Sequence, residues 1–273
     1  MKAYKKVAIL GVGLLGGSIG LVLKKRRLAQ EIVGHFRNPK KIRPAVRLGL
    51  IDTGTTDLKE AVRDADVVVV CTPVSDIERK LTLLKTLVGP QALVTDTGSA
   101  KVSILRAAGR LNFIGAHPLS GSEQSGASAA HADLLRDSIC ILTPKKRTKA
   151  WKKAVLFWNR LGCRVFTMKA QRHDFILGRI SHLPHLAAFA LMAAVPRQAL
   201  PFAAGGLKDT TRIALSSPLL WADIFLANRR ELLPALASYE RALALFKAAL
   251  RSRCRRRLLS FLTASQHKRQ AVR

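Results

Sequence analysis

The sequence predicts an α/β chain: a doubly wound, mostly parallel sheet followed by an all-helical C-terminal part. Three observations carry that reading. Over roughly the first 165 residues, short β-branched runs alternate with amphipathic stretches, as in stacked strand–helix–strand units. A Gly-x-Gly-x-x-Gly run, Gly11 to Gly16, closes the first apolar run and opens the first amphipathic one. From about Met168 the strand signal stops and long apolar helical stretches replace it, which sets two domains, 1–167 and 168–273.

Taken in order, Val7–Leu10 is a short apolar run ended by glycine and reads as the first strand. Leu15–Lys25 reads as a helix. Ile32–Phe36, Val67–Thr72, Leu93–Thr95, Phe113–Gly115 and Ile139–Thr143 read as further strands, being short and apolar between turn residues. Pro39–Leu48, Ser75–Leu87 and Lys101–Ala108 read as intervening helices, several preceded by Ser, Asn or Asp at capping positions. Ala187–Ala194, Leu219–Ala227 and Leu232–Leu250 are so apolar that they need a partner surface as well as their own domain, and a homodimer is expected. The tail from Arg251 is arginine-rich and is expected to fray at its end.

At 273 residues and 48% hydrophobic, the chain has ample material for a core. No uninterrupted apolar run reaches the roughly 18 residues of a bilayer span, and Met1 to Lys6 leads into a strand with no cleavage pattern. A cytoplasmic protein without a membrane partner is expected. Cys71, Cys140, Cys163 and Cys254 lack metal-ligand spacing, so no metal is expected and the thiols read as reduced. The net charge of +30 favours anionic partners. Aromatics make up only 5% and do not alternate with the basic residues, which argues against a dedicated nucleic-acid surface.

The glycine run has a mechanical reading as a dinucleotide site: Gly11 for the tight turn, Gly13 for close approach of a pyrophosphate, Gly16 for helix–sheet contact. Leu14, Leu15, Thr72, Pro73 and Ser99 complete the expected cofactor contacts. A carboxylate at the end of the second strand would hold the ribose 2′-hydroxyl and repel a 2′-phosphate. Phe36 and Arg37 stand there instead, with Lys40 and Lys41 nearby, so NADP is favoured over NAD. The alternative is an ordinary exposed arginine and use of either cofactor.

Between His173 and His185 lie three of the seven histidines, beside Asp174. At about 100° per residue, Asp174, His182 and His185 share roughly one helical quadrant while His173 projects elsewhere. This is either a solvated stripe or a ligand or catalytic site. Three further polar, glycine-bearing segments fall where loops after late strands gather: Asp96–Lys101, His117–Glu123 and Gly205–Arg212. Oxidising an alcohol carbon by hydride transfer needs a base, a group that orients the hydroxyl and, for an acidic substrate, a cation. His117, Ser99 and Arg212 can fill these roles, although taken singly His117 reads equally as a loop histidine and Arg212 as a surface ion pair.

Gly11–Ser18, Asp96–Lys101, His117–Glu123, His173–His185 and Gly206–Trp221, in this order and spread over nearly the whole chain, resemble the prephenate/arogenate dehydrogenases of tyrosine biosynthesis. The resemblance implies a Rossmann-type domain, a helical dimerisation domain, and oxidative decarboxylation of prephenate to 4-hydroxyphenylpyruvate with NAD(P). Arogenate dehydrogenase, or a dual-specificity cyclohexadienyl dehydrogenase, is the alternative. It also implies roles: His117 as base toward the ring 4-hydroxyl, Ser99 orienting that hydroxyl, and Arg212 holding the side-chain carboxylate. His182 and His185 would line the substrate pocket, with His173, Asp174, Glu123, Lys208 and Trp221 supplying gating or supporting contacts. Pro184 should leave the Ile180 carbonyl without its usual donor and bend the helix.

Overall fold

A computed structural model of the chain describes residues 3–121, 124 and 126–272. Glu123, expected at the substrate site, lies outside them. The strands are β1 Tyr4–Leu10, β2 Ala29–His35, β3 Thr53–Thr55, β4 Val67–Val70, β5 Leu93–Asp96, β6 Phe113–Pro118, β7 Ile139–Thr143 and β8 Arg164–Thr167. They form one sheet in the order β3-β2-β1-β4-β5-β6-β7-β8. Among the described residues, β6 and β7 are the one pair that runs antiparallel. The chain therefore reverses its direction of winding between β1 and β4, the crevice where doubly wound sheets bind nucleotides.

Both faces of the sheet are covered. Val7, Ile9, Val67 and Val69 point into one core with Ile19, Leu23, Phe157 and Trp158, whereas Ala8, Leu10, Val68 and Val70 point into the other with Ile77, Leu81, Ile104 and Trp221. The alternation is the pleat itself, and the all-valine β4 follows from burial on both sides. The covering helices are α1 Leu14–Lys25, α2 Ile42–Arg47, α3 Leu58–Val62, α4 Val74–Leu87, α5 Val102–Ala108 and α6 Lys149–Arg160. Strands β3 and β8 and helices α3 and α6 lie beyond the elements expected from sequence.

Next comes a continuous helix, α7 Ala170–Leu177 and α8 Leu183–Ala194, joined by a π turn at Gly178–His182. The Leu183 N–H bonds the Gly178 carbonyl, five residues back, so the ladder has already widened where Pro184 removes a donor. That turn, rather than a broken helix, absorbs the proline. Among the described residues this is the one helix long and apolar enough to cross a membrane, yet His173, Asp174 and His182 on it are buried in hydrogen-bonded positions. Two further helices follow, α9 Gly205–Thr211 and α10 Pro218–Ala227.

The chain forms two compact units, 1–228 and 229–273. The second consists of α11 Arg229–Arg251 and α12 Arg255–Gln270, with the Phe246 and Phe261 rings 5.5 Å apart. The arginine-rich tail is thus helical as far as Gln270.

Candidate active site

The glycine loop has the geometry that a dinucleotide needs. Gly11 sits at φ +96°, and a Cβ there would meet Thr72 Cγ2 at 2.7 Å and the Cys71 carbonyl at 2.9 Å. At Gly16 a Cβ would lie 2.1 Å from the Gly11 carbonyl, whereas at Gly13 it would meet nothing within 4 Å. Gly16 therefore closes helix on loop, and Gly13 leaves its space for something else. The Thr72 hydroxyl, beside Gly11, is buried without a hydrogen bond of good geometry. Open space at Gly13 and the α1 N-terminus fit a pyrophosphate. Two substitutions separate these roles. Gly16→Ala should cost about 1–3 kcal/mol of stability, measured by denaturant unfolding. Gly13→Ala should leave the unfolding midpoint in place while raising the Kd for NAD(P)+ by about tenfold or more, about 1.4 kcal/mol.

At the end of β2, Phe36 is buried in the core and Arg37 is exposed. Sequence reading missed a second cation here. Lys80 on α4 is 3% exposed, 3.8 Å from Asp76, and within electrostatic reach of Arg37. Burial lowers the Lys80 pKa against the opposing charge of Asp76, with Arg79 and then Arg37 adding smaller lowering effects.

The chemistry-bearing side chains gather beyond β5 and β6. His117, near the end of the wholly buried β6, has Nδ1 2.8 Å from Nε2 of His173. The other nitrogen of His173 lies 2.7 Å from Oδ1 of Asp174. Both Asp174 oxygens are acceptors, taking the Lys101 N–H at 2.8 Å and the Val102 N–H at 2.9 Å at the start of α5. A carboxylate that only accepts fixes the protons along the row. His173 Nδ1–H donates to Asp174, His173 Nε2 accepts from His117 Nδ1–H, and His117 Nε2 is left with a lone pair. Burial holds His117 neutral, its pKa well below the ordinary value, with His173 and Lys101 adding to the effect. The row ends in an unprotonated imidazole nitrogen.

A buried ion pair braces this row. Lys101 and Asp96 are both fully buried, and the Lys101 ammonium donates to Asp96 at 2.5 Å and to the Ala116 carbonyl at 2.7 Å. Asp96 also accepts the Ala116 N–H and the Gly98 N–H, each at 2.9 Å. The loop bearing Ser99 and the residue before His117 are therefore tied to one carboxylate. Within the Asp96–Lys101 segment, sequence reading gave a role to Ser99 alone.

On the helical side, the His185 ring stacks on Trp221 with centroids 3.5 Å apart and donates from Nδ1 to the Ser181 carbonyl at 2.9 Å. Arg212 is exposed within electrostatic reach of His185. His182 is fully buried, edge-on to Trp221, with a pKa lowered to about 4, mainly by burial. The structure thus groups His117, His173, Asp174 and His182, and joins Arg212, His185 and Trp221 beside them. Lys208 is exposed on α9. Among the described residues, no three His, Cys, Asp or Glu side chains are grouped as metal ligands.

A glycine loop at the crevice of a doubly wound sheet, in a chain that also carries a buried neutral histidine, fits the class of NAD(P)-dependent dehydrogenases. Comparison with known proteins makes this specific. The family model for the prephenate dehydrogenase nucleotide-binding domain matches residues 19–167, and that for the prephenate dehydrogenase dimerization domain matches residues 169–264. The chain is 33% identical to the cyclohexadienyl dehydrogenase of Zymomonas mobilis, covering 100% of this chain and 97% of that protein. It is 34% identical to the prephenate dehydrogenase of Bacillus subtilis, covering 83% of this chain and 65% of that longer protein. A crystal structure of the A. aeolicus prephenate dehydrogenase with hydroxyphenyl propionate and NAD+ superposes with a TM-score of 0.91 at 32% identity, covering 100% of this chain and 99% of that one. The chain belongs to the prephenate dehydrogenase family.

Proposed function

We propose that this chain oxidises and decarboxylates prephenate to 4-hydroxyphenylpyruvate in L-tyrosine biosynthesis, with His117 as the base. The observation that carries this is the Asp174–His173–His117 row, which leaves an unprotonated Nε2 at a buried position. The bound dinucleotide supplies the hydride acceptor. Nε2 of His117 takes the proton of the 4-hydroxyl as the C4–H bond gives up its hydride, and Ser99 holds that hydroxyl in line. The C1–carboxylate bond then breaks, CO2 leaves, and its electron pair completes the aromatic ring. The proton on His117 returns to the phenolate oxygen, so no net proton is consumed.

Arg212 binds the side-chain carboxylate, since a planar guanidinium can hold both oxygens, and the His185–Trp221 stack forms the wall beside it. His173 and Asp174 support His117 from behind, and Lys208 and Glu123 are kept as supporting contacts. The domains are 1–167 for the dinucleotide and 168–273 for substrate binding and dimerisation. Exposed apolar side chains on the helical part, Phe202 at 87%, Leu215 at 76% and Leu219 at 85%, support a homodimer. The cytoplasm is the proposed location.

NADP is the proposed cofactor. Phe36 offers no carboxylate to repel a 2′-phosphate, and the exposed Arg37, with Lys80 within electrostatic reach of it, supports a cationic end of β2. Steady-state assays with prephenate or arogenate and either dinucleotide test both statements. The expected result is rapid reduction with prephenate and a lower KM for NADP+ than for NAD+. Strict dependence on arogenate would shift the substrate reading, and a clear NAD+ preference would refute the cofactor reading.

A further inference from the structure

Asn228, at the end of α10, has no part in the chemistry described so far, yet it is only 2% exposed and makes two polar contacts on one nitrogen. Its Nδ2 donates to the Asp174 carbonyl at 2.9 Å and lies 3.0 Å from Nδ1 of His182. A main-chain carbonyl can only accept, so this end of the amide is the NH2 group and both of its protons are assigned. Nδ1 of His182 must then be an acceptor. The ring proton is consequently on Nε2, a buried atom that interacts with the Ser99 main chain but makes no hydrogen bond of good geometry. A buried donor left without a good hydrogen bond costs about 1–3 kcal/mol, and the Asn228 contact maintains that arrangement.

That donor lies on the side of Ser99 and His117. With Nδ1 occupied by Asn228, the interaction with the Ser99 main chain is made from the Nε2 side, and His182 also acts electrostatically on His117. We propose that His182 donates Nε2–H to the ring oxygen of the substrate as it becomes phenolate-like, and that Asn228 is the positioning residue that holds His182 in this tautomer. The assignment rests on the prephenate reading above. It divides the work between two neutral histidines. His117 accepts the hydroxyl proton, whereas His182 stabilises the oxygen when the carboxylate's electron pair enters the ring. A donor aimed instead at the departing carboxylate would stabilise the ground state and slow its loss.

Two measurements on the full-length protein test this. Long-range proton–nitrogen NMR of histidine-labelled wild type should show Nδ1 of His182 unprotonated and Nε2 protonated, and Asn228→Asp, which offers an acceptor to Nδ1, should reverse or double-protonate the ring. In steady-state turnover of prephenate, His182→Leu should lower kcat by about 10²-fold with little change in KM, while His182→Gln, which keeps an N–H near the Nε2 position, should recover most of it. A wild-type signal with the proton on Nδ1, or equal losses in the Leu and Gln variants, overturns the proposal. Absence of turnover with both prephenate and arogenate in the wild type would refute the substrate reading and the donor role with it, while the NMR signal reports on Asn228 independently.

Discussion

His117→Asn is expected to lower kcat by about 10²- to 10⁴-fold, the usual worth of a positioned general base, while leaving the Kd for NAD(P)+ within about twofold, or roughly 0.4 kcal/mol. The size of the effect follows from how much structure is committed to one nitrogen. Asp174 spends both oxygens on the α5 N–H groups and on His173, so the proton order along the row has a single solution. Asparagine can keep a contact toward His173 but has no basic nitrogen to take the hydroxyl proton. The glycine loop, at the C-terminal end of β1, is untouched, which separates loss of chemistry from loss of cofactor. Equilibrium binding alongside turnover makes the distinction, and a variant with near-normal kcat would remove His117 as the base.

The second large effect is on stability. Lys101→Met should destabilise the fold by about 3–5 kcal/mol, because it leaves the Asp96 carboxylate buried without its counter-charge. The ammonium also holds the Ala116 carbonyl, so the residue before His117 loses its brace at the same time. Activity should therefore fall more than stability alone accounts for. Adding Asp96→Asn to Lys101→Met should regain part of the loss, since the amide oxygen can still accept a main-chain N–H and no uncompensated charge remains. Urea unfolding of the two variants decides this, and an unchanged midpoint in Lys101→Met would contradict the brace.

The parts of this molecule that local chemistry dictates were legible from the sequence. Gly11 and Gly16 each meet a separate steric need where the spacing places them, and Gly13 faces open space. The β-branched runs of β1, β4 and β7 are likewise read directly, because burial on both faces leaves little but apolar residues. β3 was not readable: Thr53-Gly54-Thr55 has no large apolar side chain and forms only by pairing with β2. Helix α6 was obscured by Lys149, Lys152 and Lys153, although Phe157 and Trp158 on it are fully buried.

The site was legible as a set of residues but not as a circuit. His117 and His173 are 56 positions apart, and nothing in their spacing says that their rings touch. The π turn resets the phase of the helix between Asp174 and His182, so a uniform rotation per residue does not give the side-chain directions. Asn228 looks in sequence like a helix end, and Lys101 and Lys80 look like two more cations in a chain of net charge +30. Their burial is a property of the assembled fold.

The most direct test of the account is the pH dependence of kcat/KM for prephenate in wild type and His117→Asn. A base with a depressed pKa is neutral over the ordinary working range, so wild-type activity should hold below pH 6.5 and fall only as the solution becomes acidic enough to protonate it. That acid limb should be absent from the residual activity of His117→Asn. An identical acid limb in the variant, or a wild-type limb centred above 6.5, would contradict the assignment of His117 as the buried, neutral base.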